Sequence, residues 1–356
     1  MSGTSLDGID AAIIVSDGMS QIESGPIAME NYRPDFEKRL RDCLGQTADE
    51  PSVPQVAREL TYLHAKIVNR LLKDNGLKPS DIDLIGFHGH TTLHRPEDRL
   101  TVQIGDPALL AAETGINVVA DFRSNDVAHG GEGAPLVPLY HSALCDELEK
   151  PLAVVNIGGV ANVTWIGKSG SEEEPNILAF DTGPGNALIN DWAMATISRP
   201  MDEGGRLARS GSIDEERLSR LHDNAYLARV PPKSLDRDDF GNVWDVLAGI
   251  NPADGAATLS AFTVQAIIRA LDHFPETPKR WLVTGGGRHN DTLMEMLGQN
   301  FGVPVEPIET IGQNGDVLEA RAFAFLAIRS FYGLPLSLPK TTRAPHPLSG
   351  GTLFKA

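Results

Sequence analysis

The sequence has few cysteines, a shortage of basic residues and no long apolar run. Its two cysteines, Cys43 and Cys145, lie far apart in unrelated surroundings, so neither a disulfide framework nor a cysteine metal site is predicted. The formal net charge of -17 argues against nucleic acid and anionic membranes as partners, because phosphate backbones are bound by clustered Lys and Arg. No run approaches the roughly 18 apolar residues of a membrane span, and no signal peptide is evident. We therefore expect a cytoplasmic protein.

What the sequence does contain is the composition of an ordinary globular protein. Of its 356 residues, 41% are hydrophobic and 22% are charged, and the length predicts about two domains. A small anionic ligand remains compatible with the acidic composition. Such a ligand can be held by backbone N–H groups at glycine turns and helix N-termini, which need no net positive charge.

The order of the predicted elements favours the α/β class, with mixed sheets flanked by helices. Predicted strands cover 9–16, 26–32, 81–89, 101–105, 117–122, 151–159, 160–167, 176–181 and 280–286. Predicted helices cover 34–44, 55–74, 106–114, 185–197, 213–222, 256–273, 288–299 and 316–332, with Asp106 as a cap. A strand-turn-strand pattern with glycine at the turn occurs at 1–15 and again at 152–166. Two similar halves would place a cleft between them, near residue 130.

Four glycine-rich turns follow predicted strands, at 2–8, 156–162, 181–186 and 284–290. None is a P-loop, because the only Gly-Lys-Ser, at 167–169, has Asn162 where that motif needs glycine, and none is a complete GxGxxG. A single turn of this kind is most often structural. Four of them at strand ends in both halves predict a polyphosphate site lined by backbone N–H groups.

Asp181 is the candidate general base. It ends an apolar strand, and the following Thr182, Gly183, Gly185 and Asn186 are expected to form a turn that exposes its carboxylate at the edge of the sheet. A carboxylate at that position can take a proton from a hydroxyl or a water near bound phosphate. The alternative is an Asp that only caps the turn or the next helix.

Three histidines, His88, His90 and His94, lie in the stretch FHGHTTLHRP. They can be interpreted as a metal site, but no carboxylate stands at the offsets that would complete one. We favour the second interpretation, in which polar residues at the end of a strand face a substrate.

The chain resembles the 1,6-anhydro-N-acetylmuramic acid kinases, bacterial enzymes of peptidoglycan recycling in the hexokinase, actin and heat-shock-chaperone ATPase superfamily. The segments that carry the resemblance cover nearly the whole chain in order: MSGTSLDGID, GFHGHTTLHRP, QIGDPALLA, DFRSNDVAHGGEGAPLVP, NIGGVANVT, FDTGPGNALIND, TGGGRHN and LEARAFAFLA. It implies a two-domain actin-like ATPase fold, ribonuclease H-like, with a central cleft. The implied domains are 1–128, with the tail 334–356 packing back on it, and 129–333. We also expect a homodimer.

The resemblance also implies which residues bind ATP, the sugar and Mg²⁺. The first phosphate loop would be Gly3, Thr4, Ser5, Leu6, Asp7, Gly8, Ile9 and Asp10. The second would contain Gly158 and Gly159, with Gly183 beside the base Asp181 and Gly285, Gly286 and Gly287 on the adenosine side. The sugar contacts would be His90, Thr91, Arg123, Gly131, Gly133 and the second carboxylate, Glu319. The Mg²⁺ ligands stay open, with Asp7 or water as candidates.

Three features depart from the family pattern. The family's first strand normally has several residues before this Met-Ser-Gly, His90 stands where the family usually has Gln, and TTRAPHP replaces the usual Thr-Gly-Ala in the tail. In the wider superfamily, many relatives also have an Asp at the position of Met1. The expected reaction opens the anhydro bridge with water and phosphorylates O6. Two alternatives remain at this point: a kinase for another sugar, and a non-catalytic ATP-binding switch of the actin or chaperone type.

Overall fold

The chain leaves its first structural unit after Asp146 and returns to it at Val317. The computed structural model describes residues 1–3, 6, 8–168, 175–235 and 240–356. Unit 1 consists of Met1–Asp146 and Val317–Ala356, and unit 2 consists of Glu147–Asp316. The predicted domain boundaries at 128/129 and 333/334 both fall inside unit 1. The second does so because the long helix of residues 318–331 packs on strands of that unit.

Unit 1 is built from short sheets and helices. Its elements are β1 (Gly8–Ser16), β2 (Ile22–Asn31), α1 (Pro34–Asp42), α2 (Val53–Asp74), β3 (Ile85–Gly86), β4 (His90–Arg95), β5 (Leu100–Ile104), α3 (Pro107–Thr114), β6 (Val118–Ala120), α4 (Ser124–Ala128) and α5 (Pro138–Leu144). β1 and β2 are antiparallel, as are β4 and β5. Asp106 caps α3 as predicted, its Oδ1 accepting from the N–H of Leu109 at 2.9 Å.

Unit 2 contains one mixed five-stranded sheet with helices around it. Its elements are β7 (Leu152–Ile157), β8 (Val160–Ile166), β9 (Ile177–Pro184), α6 (Ala187–Ile197), α7 (Arg206–Arg209), α8 (Glu215–His222), α9 (Val243–Val246), α10 (Pro252–Ile268), β10 (Trp281–Thr284), α11 (Asp291–Phe301) and β11 (Val305–Pro307). The strand order is β11-β10-β7-β8-β9. The β11, β10 and β7 pairs are parallel, whereas β8 pairs antiparallel with β7 and β9.

The end of the chain completes unit 1 with α12 (Leu318–Phe331), α13 (Pro339–Thr342) and β12 (Thr352–Phe354). β12 joins β6 and β3 in a three-stranded sheet, antiparallel to β6. Phe323 and Leu326 of α12 share a buried cluster with Val119 and Leu336. The apolar face of α12 therefore belongs to the core of unit 1. The predicted α/β class with mixed sheets is confirmed.

One predicted strand and one predicted strand-turn-strand pattern differ from the observed structure. The stretch 81–89 forms a strand only at 85–86, because Gly89 adopts a positive φ of 72° and turns the chain toward β4. In the stretch 1–15, the strand begins at Gly8 and pairs with β2, and the described residues before it form no strand. Met1 and Asp10 nevertheless exchange two backbone hydrogen bonds, of 2.7 and 2.9 Å.

In the described part of the chain, no helix is long and apolar enough to cross a membrane.

Candidate active site

Three of the four glycine-rich turns lie together at the same end of the strands in the sheet of unit 2. β7 and β10 are parallel neighbours, with Asn156 opposite Thr284, so the turns that follow them lie side by side. The third turn is tied to the first: the backbone N–H of Asn186 donates to Gly158 O at 2.7 Å, and its side-chain amide donates to Ile157 O at 2.9 Å. The sheet topology therefore brings the segments 158–159, 183–186 and 285–287 together.

Glycine is required at some of these positions by close packing and leaves space at others. A Cβ on Gly285, whose φ is +75°, would lie 2.2 Å from Asn156 Oδ1, and a Cβ on Gly287 would lie 2.4 Å from Ile157 Cγ2. At Gly158 and Gly159 the nearest protein atom to such a Cβ is 3.4 and 3.7 Å away. The protein itself does not demand glycine at these two positions, and the backbone there is open to a ligand.

The remaining glycines of these turns differ in exposure. Gly183 is buried, and a Cβ there would lie 2.8 Å from the Cβ of Ala266 on α10. Gly286 is exposed, and a Cβ there would lie 3.7 Å from its nearest neighbour, Asn186 Nδ2. Helix α10 thus packs against Gly183, whereas the backbone of Gly286 is accessible.

Asp181 lies inside β9, not at its end as the sequence predicted. The strand continues to Pro184, and the pairing with β8 shifts register between Ala161 and Asn162, so that Thr182 forms a β-bulge. The Asp181 side chain is only 9% exposed, which also corrects the prediction of an exposed carboxylate. Bulges re-aim side chains beside active sites, and this one sets Asp181 next to the glycine turn 183–186.

The Asp181 carboxylate is held by the segment 224–235. Its Oδ2 accepts from the backbone N–H of Leu235 at 2.9 Å, its own N–H donates to Lys233 O at 3.0 Å, and its carbonyl accepts from the Tyr226 hydroxyl at 2.8 Å. None of these contacts was predicted from the sequence. Nothing in the local pattern of these residues indicates a role, because the link to Asp181 is made by the tertiary fold.

A pocket of about 620 Å³ adjoins the 285–287 turn within unit 2. Arg288 forms one wall and is fixed by Glu309 Oε1 at 2.8 Å, Asp316 Oδ1 at 2.6 Å and the carbonyl of Gly285 at 2.9 Å. The carboxylates of Glu309 and Asp316 are both partly exposed along this pocket. Its size suits a nucleoside.

In unit 1, Arg123 connects the predicted sugar-binding segments. Its Nε and Nη2 lie 3.1 and 3.0 Å from His88 Nε2, and its Nη1 donates to Gly133 O at 2.7 Å. His88 Nδ1 lies 3.0 Å from Gly89 O, so the proton of the neutral ring is on Nδ1 and Nε2 accepts. Burial and the Arg123 charge both hold the pKa of His88 well below its usual value. The ring is therefore a neutral acceptor that orients the guanidinium.

The glycine turn at 130–133 is fixed from several sides. Asp126, buried on α4, accepts from the N–H of Gly133 at 2.6 Å and from the hydroxyl of Thr342 at 2.7 Å. A Cβ on Gly131 would lie 2.2 Å from Asp126 Oδ2, so this turn accepts no larger residue there. His94 Nε2 lies 2.9 Å from Glu132 O, which ties the turn to β4. The tail thereby reaches the predicted sugar-binding turn.

His90 points into unit 1 and is fully buried. The Tyr32 hydroxyl donates to Ser2 Oγ at 2.6 Å, and Ser2 Oγ lies 2.9 Å from His90 Nδ1, which leaves the ring proton on Nε2. Burial lowers the pKa of His90 to about 4, so the ring is neutral near pH 7. The predicted sugar contact of His90 stays a prediction. The structure instead links this residue to the first glycine loop. Thr91, next on β4, is half-buried, and its hydroxyl accepts from Gln103 Nε2 at 3.3 Å.

Glu319 lies in the first turn of α12 and keeps contact with solvent. The pKa of its carboxyl is raised because the surrounding protein displaces much of its water, although the Arg123 guanidinium and the Met1 ammonium group act in the opposite direction. Arg123 and Glu319 therefore influence each other electrostatically within unit 1. A carboxyl with a raised pKa near an arginine is typical of a functional site.

The first glycine loop is only partly described. Thr4, Ser5 and Asp7 of the predicted phosphate loop lie outside the described residues. Gly3 is half-buried and its carbonyl accepts from the N–H of Leu6, which has a positive φ of 61°. Gly8 opens β1, where a Cβ would lie 2.6 Å from Glu30 O. The Ile9 side chain is in the core, and Asp10 pairs with Met29 on β2.

The three histidines of 88–94 do not form a metal site in the structure. His94 Nδ1 lies 3.0 Å from Thr101 Oγ1, and its other nitrogen is used by Glu132 O, while His88 and His90 are held by Arg123 and Ser2. Among the residues that the structure describes, no group of three His, Cys, Asp or Glu side chains is placed to hold a metal ion.

Comparison with known proteins adds a family to this geometry. The profile of the family described as anhydro-N-acetylmuramic acid kinase matches residues 1–356. The anhydro-N-acetylmuramic acid kinase of Paramagnetospirillum magneticum is 50% identical over 352 residues, covering 99% of this chain and 97% of that protein. The protein of the same name from Rhodospirillum rubrum is 52% identical over 359 residues, covering 100% and 93%. Among solved structures, the activator of the 2-hydroxyisocaproyl-CoA dehydratase from Clostridium difficile with bound ADPNP has a TM-score of 0.42 at 11% identity, covering 90% of this chain and 94% of that one.

Proposed function

The chain belongs to the anhydro-N-acetylmuramic acid kinase family, and from this premise we propose that it opens the 1,6-anhydro bridge of anhydro-N-acetylmuramic acid and phosphorylates O6. One ATP and one water are consumed, and the products are ADP and N-acetylmuramic acid 6-phosphate. The observation that carries the proposal is the placement of Asp181. Its carboxylate is fixed in a β-bulge beside three converging glycine turns.

Asp181 acts as the general base in this proposal. Opening the bridge requires a nucleophile at the anomeric carbon and a way to stabilise the departing O6. Asp181 takes a proton from the water that attacks the anomeric carbon, and O6 bonds to the γ-phosphoryl group instead of receiving a proton. One carboxylate then suffices where ordinary glycosidases use two. Glu319 of unit 1 orients the sugar or the water.

The glycine turns bind the nucleotide in this proposal. The backbone at Gly158 and Gly159 has space for a ligand; the Gly158 N–H donates to Val160 O at 3.2 Å, and the Gly159 N–H is the one that donates to phosphate oxygens, as do N–H groups of the first loop at 3–10. The turn 285–287 and the 620 Å³ pocket beside it hold the adenosine, with Glu309 and Asp316 placed to accept from ribose hydroxyls. We take the two structural units as the two domains of the predicted actin-like fold.

Mg²⁺ neutralises phosphate charge in reactions of this kind and is ordinarily held by one or two carboxylates together with substrate phosphates. The donor set is compatible with that pattern, since Asp181 lies beside the turn 183–186 and Asp10 belongs to the predicted first loop, while no three His, Cys, Asp or Glu side chains of the described residues form a closed cage. Asp7 is our candidate for the protein contact, with water as the alternative.

Arg123, Thr91 and the 131–133 turn form the sugar side. The Arg123 guanidinium is oriented by His88 and Gly133 O and keeps its charge in a half-buried position. A cation suits the lactyl carboxylate that distinguishes this amino sugar from simple hexoses. We also infer that the reaction takes place in the cytoplasm, where ATP is available. The homodimer stays a prediction, which sedimentation equilibrium tests.

The direct test is ADP release with the anhydro sugar as the sole acceptor. We expect release that depends on this sugar and that glucose or N-acetylglucosamine does not support. Release with simple hexoses would favour a kinase for another sugar. Slow ATP hydrolysis that no sugar changes would favour the non-catalytic switch.

Isotope labelling tests whether water attacks the anomeric carbon or the phosphorus. In ¹⁸O-water we expect the label on the anomeric hydroxyl of the product and none in the transferred phosphate. The product is quenched before its anomeric oxygen exchanges with solvent and is analysed by mass spectrometry. Label in free phosphate, or an unlabelled anomeric oxygen, would contradict the coupled mechanism.

A further inference from the structure

The segment 224–235 holds Asp181 at three separate points. The Tyr226 hydroxyl donates to its carbonyl at 2.8 Å, Lys233 O accepts from its N–H at 3.0 Å, and the N–H of Leu235 donates to Oδ2 at 2.9 Å. Two of these contacts fix the backbone and the third fixes the carboxylate itself. The direction of the Asp181 side chain therefore depends on the shape of this segment.

Lys233 stabilises the shape of this segment through contacts of its buried side chain. Its side chain is only 3% exposed, and its ammonium group donates to the carbonyls of Tyr226 at 3.2 Å and Leu227 at 3.4 Å. The same nitrogen lies 4.6 Å from the centre of the Tyr226 ring. The buried ammonium group thus joins residues 226–227 to the stretch 233–235, and both parts of the segment contact Asp181.

The charges around Lys233 explain why the ammonium group is costly at this position. Arg229 and Arg269 act with burial to lower the pKa of Lys233 to about 8, burial being the largest cause, and Asp181 acts in the opposite direction. His273 also faces this cation, since Lys233 contributes to lowering the pKa of that imidazole. Among these charged groups, Asp181 is the one that favours the protonated form of Lys233. An isolated buried ammonium is rarely retained without such a partner.

We propose that Lys233 is a positioning residue for Asp181. Its ammonium group fastens Tyr226 and Leu227 to the 233–235 stretch, which aims the carboxylate, and its charge favours the ionised form of Asp181 that accepts a proton. The catalytic part of this inference rests on the proposed function, because it assigns Asp181 as the base. The contacts by which Lys233 holds the segment 226–235 do not depend on the proposed function.

The experiment compares Lys233→Met with wild type, with Lys279→Met as the matched control. Lys279 belongs to the same unit and pairs with Glu149 at the surface. We expect Lys233→Met to lower kcat by about 10- to 100-fold, because a misaimed base loses most of its contribution, while KM for ATP changes by less than about twofold. Lys279→Met should leave both unchanged.

The pH profile separates positioning from a general loss of structure. Removing a positive charge beside a carboxylate raises the pKa of that carboxylate, so the acid limb of kcat for Lys233→Met should move to higher pH. Tyr226→Phe removes one contact to Asp181 and keeps the ring, so it should lower kcat without moving the acid limb. An unchanged acid limb in Lys233→Met, or more than half of the wild-type kcat, would overturn the proposal.

Hydrogen exchange tests the fastening without using activity. In Lys233→Met the amides of Asp181 and Leu235 should exchange faster than in wild type, while amides of β7 and β10 keep their rates. Unchanged exchange at both amides would overturn the proposal even if the variant were inactive. Wild type that fails to phosphorylate the anhydro sugar would contradict the proposed function alone, since the exchange result would still decide whether Lys233 holds Asp181.

Discussion

Arg123 and His88 are joined by two donors on one acceptor, because Nε and Nη2 of the guanidinium both lie about 3 Å from the imidazole Nε2. A lysine cannot reproduce this fork while also reaching Gly133 O. We predict that Arg123→Lys raises KM for the anhydro sugar about tenfold or more and leaves KM for ATP unchanged. Steady-state kinetics with each substrate varied in turn measure this. Arg58→Lys, an exposed arginine on α2, is the control, and a larger change in KM for ATP than for the sugar would contradict the assignment.

Asp181→Asn should abolish sugar-dependent turnover and leave ATP binding nearly intact. The amide keeps the size of the carboxylate and can still accept from the N–H of Leu235, but it cannot take a proton. Loss of a general base costs about 10²- to 10⁴-fold in rate. The measurements are ADP release and titration of ATP binding. Asp223→Asn, at an exposed position of the same unit, is the control. Activity above half of wild type would show that Asp181 is not the base.

We predict that Gly285 is required for packing in addition to its proposed role in holding the adenosine. In Gly285→Ala the added methyl group meets Asn156 Oδ1 and Ile157 O at 2.2 and 2.7 Å, on a backbone with a φ of +75°. We expect a loss of about 2 kcal/mol or more in the free energy of unfolding, measured by urea denaturation. Gly298→Ala is the control, because this helical glycine has no atom within 4 Å and the change should stabilise by about 0.5–1 kcal/mol. Equal effects of the two changes would be inconsistent with this packing.

Local sequence patterns predicted secondary-structure elements more successfully than they predicted tertiary contacts. The Asp106 cap and the β7–β8 hairpin follow from local patterns, and both were confirmed. The bulge at Thr182 was missed because an extra residue in a ladder depends on the partner strand, which the pattern of β9 alone does not contain. Lys233 was missed for a similar reason: its burial is set by the fold of unit 2, whereas a lysine in a polar stretch ordinarily indicates a surface.

Buried neutral histidines in unit 1 predict a loss of stability in acid. Burial lowers the pKa of His64 and of His141 to about 3, below the value of about 6.5 in an unfolded chain. The unfolded state therefore binds more protons below pH 6.5, and the stability present above that pH is lost as the pH falls toward the folded values. Each such histidine contributes about 1.4 kcal/mol per pH unit in that window.

The corresponding test is the pH dependence of the free energy of unfolding. His141→Leu should flatten the slope between about pH 6 and 4.5, because one proton-binding difference has been removed. Gln55→Leu, at an exposed position of unit 1, should leave the slope unchanged, since an amide side chain binds no proton in this pH range. An equal slope in wild type and His141→Leu would mean that the His141 imidazole is not held neutral.

The return of the chain to unit 1 at Val317 has a consequence for synthesis. Strand β6, which pairs with β3, receives its other partner β12 only from residues 352–354, and α12 supplies part of the cluster that buries Val119. Unit 2 is encoded without interruption, so its residues can fold as soon as they leave the ribosome, since domains generally fold as units during translation. Unit 1 keeps apolar surface uncovered until residues 317–356 have been translated. Proteases and chaperones would therefore meet the nascent chain mainly through its first 146 residues.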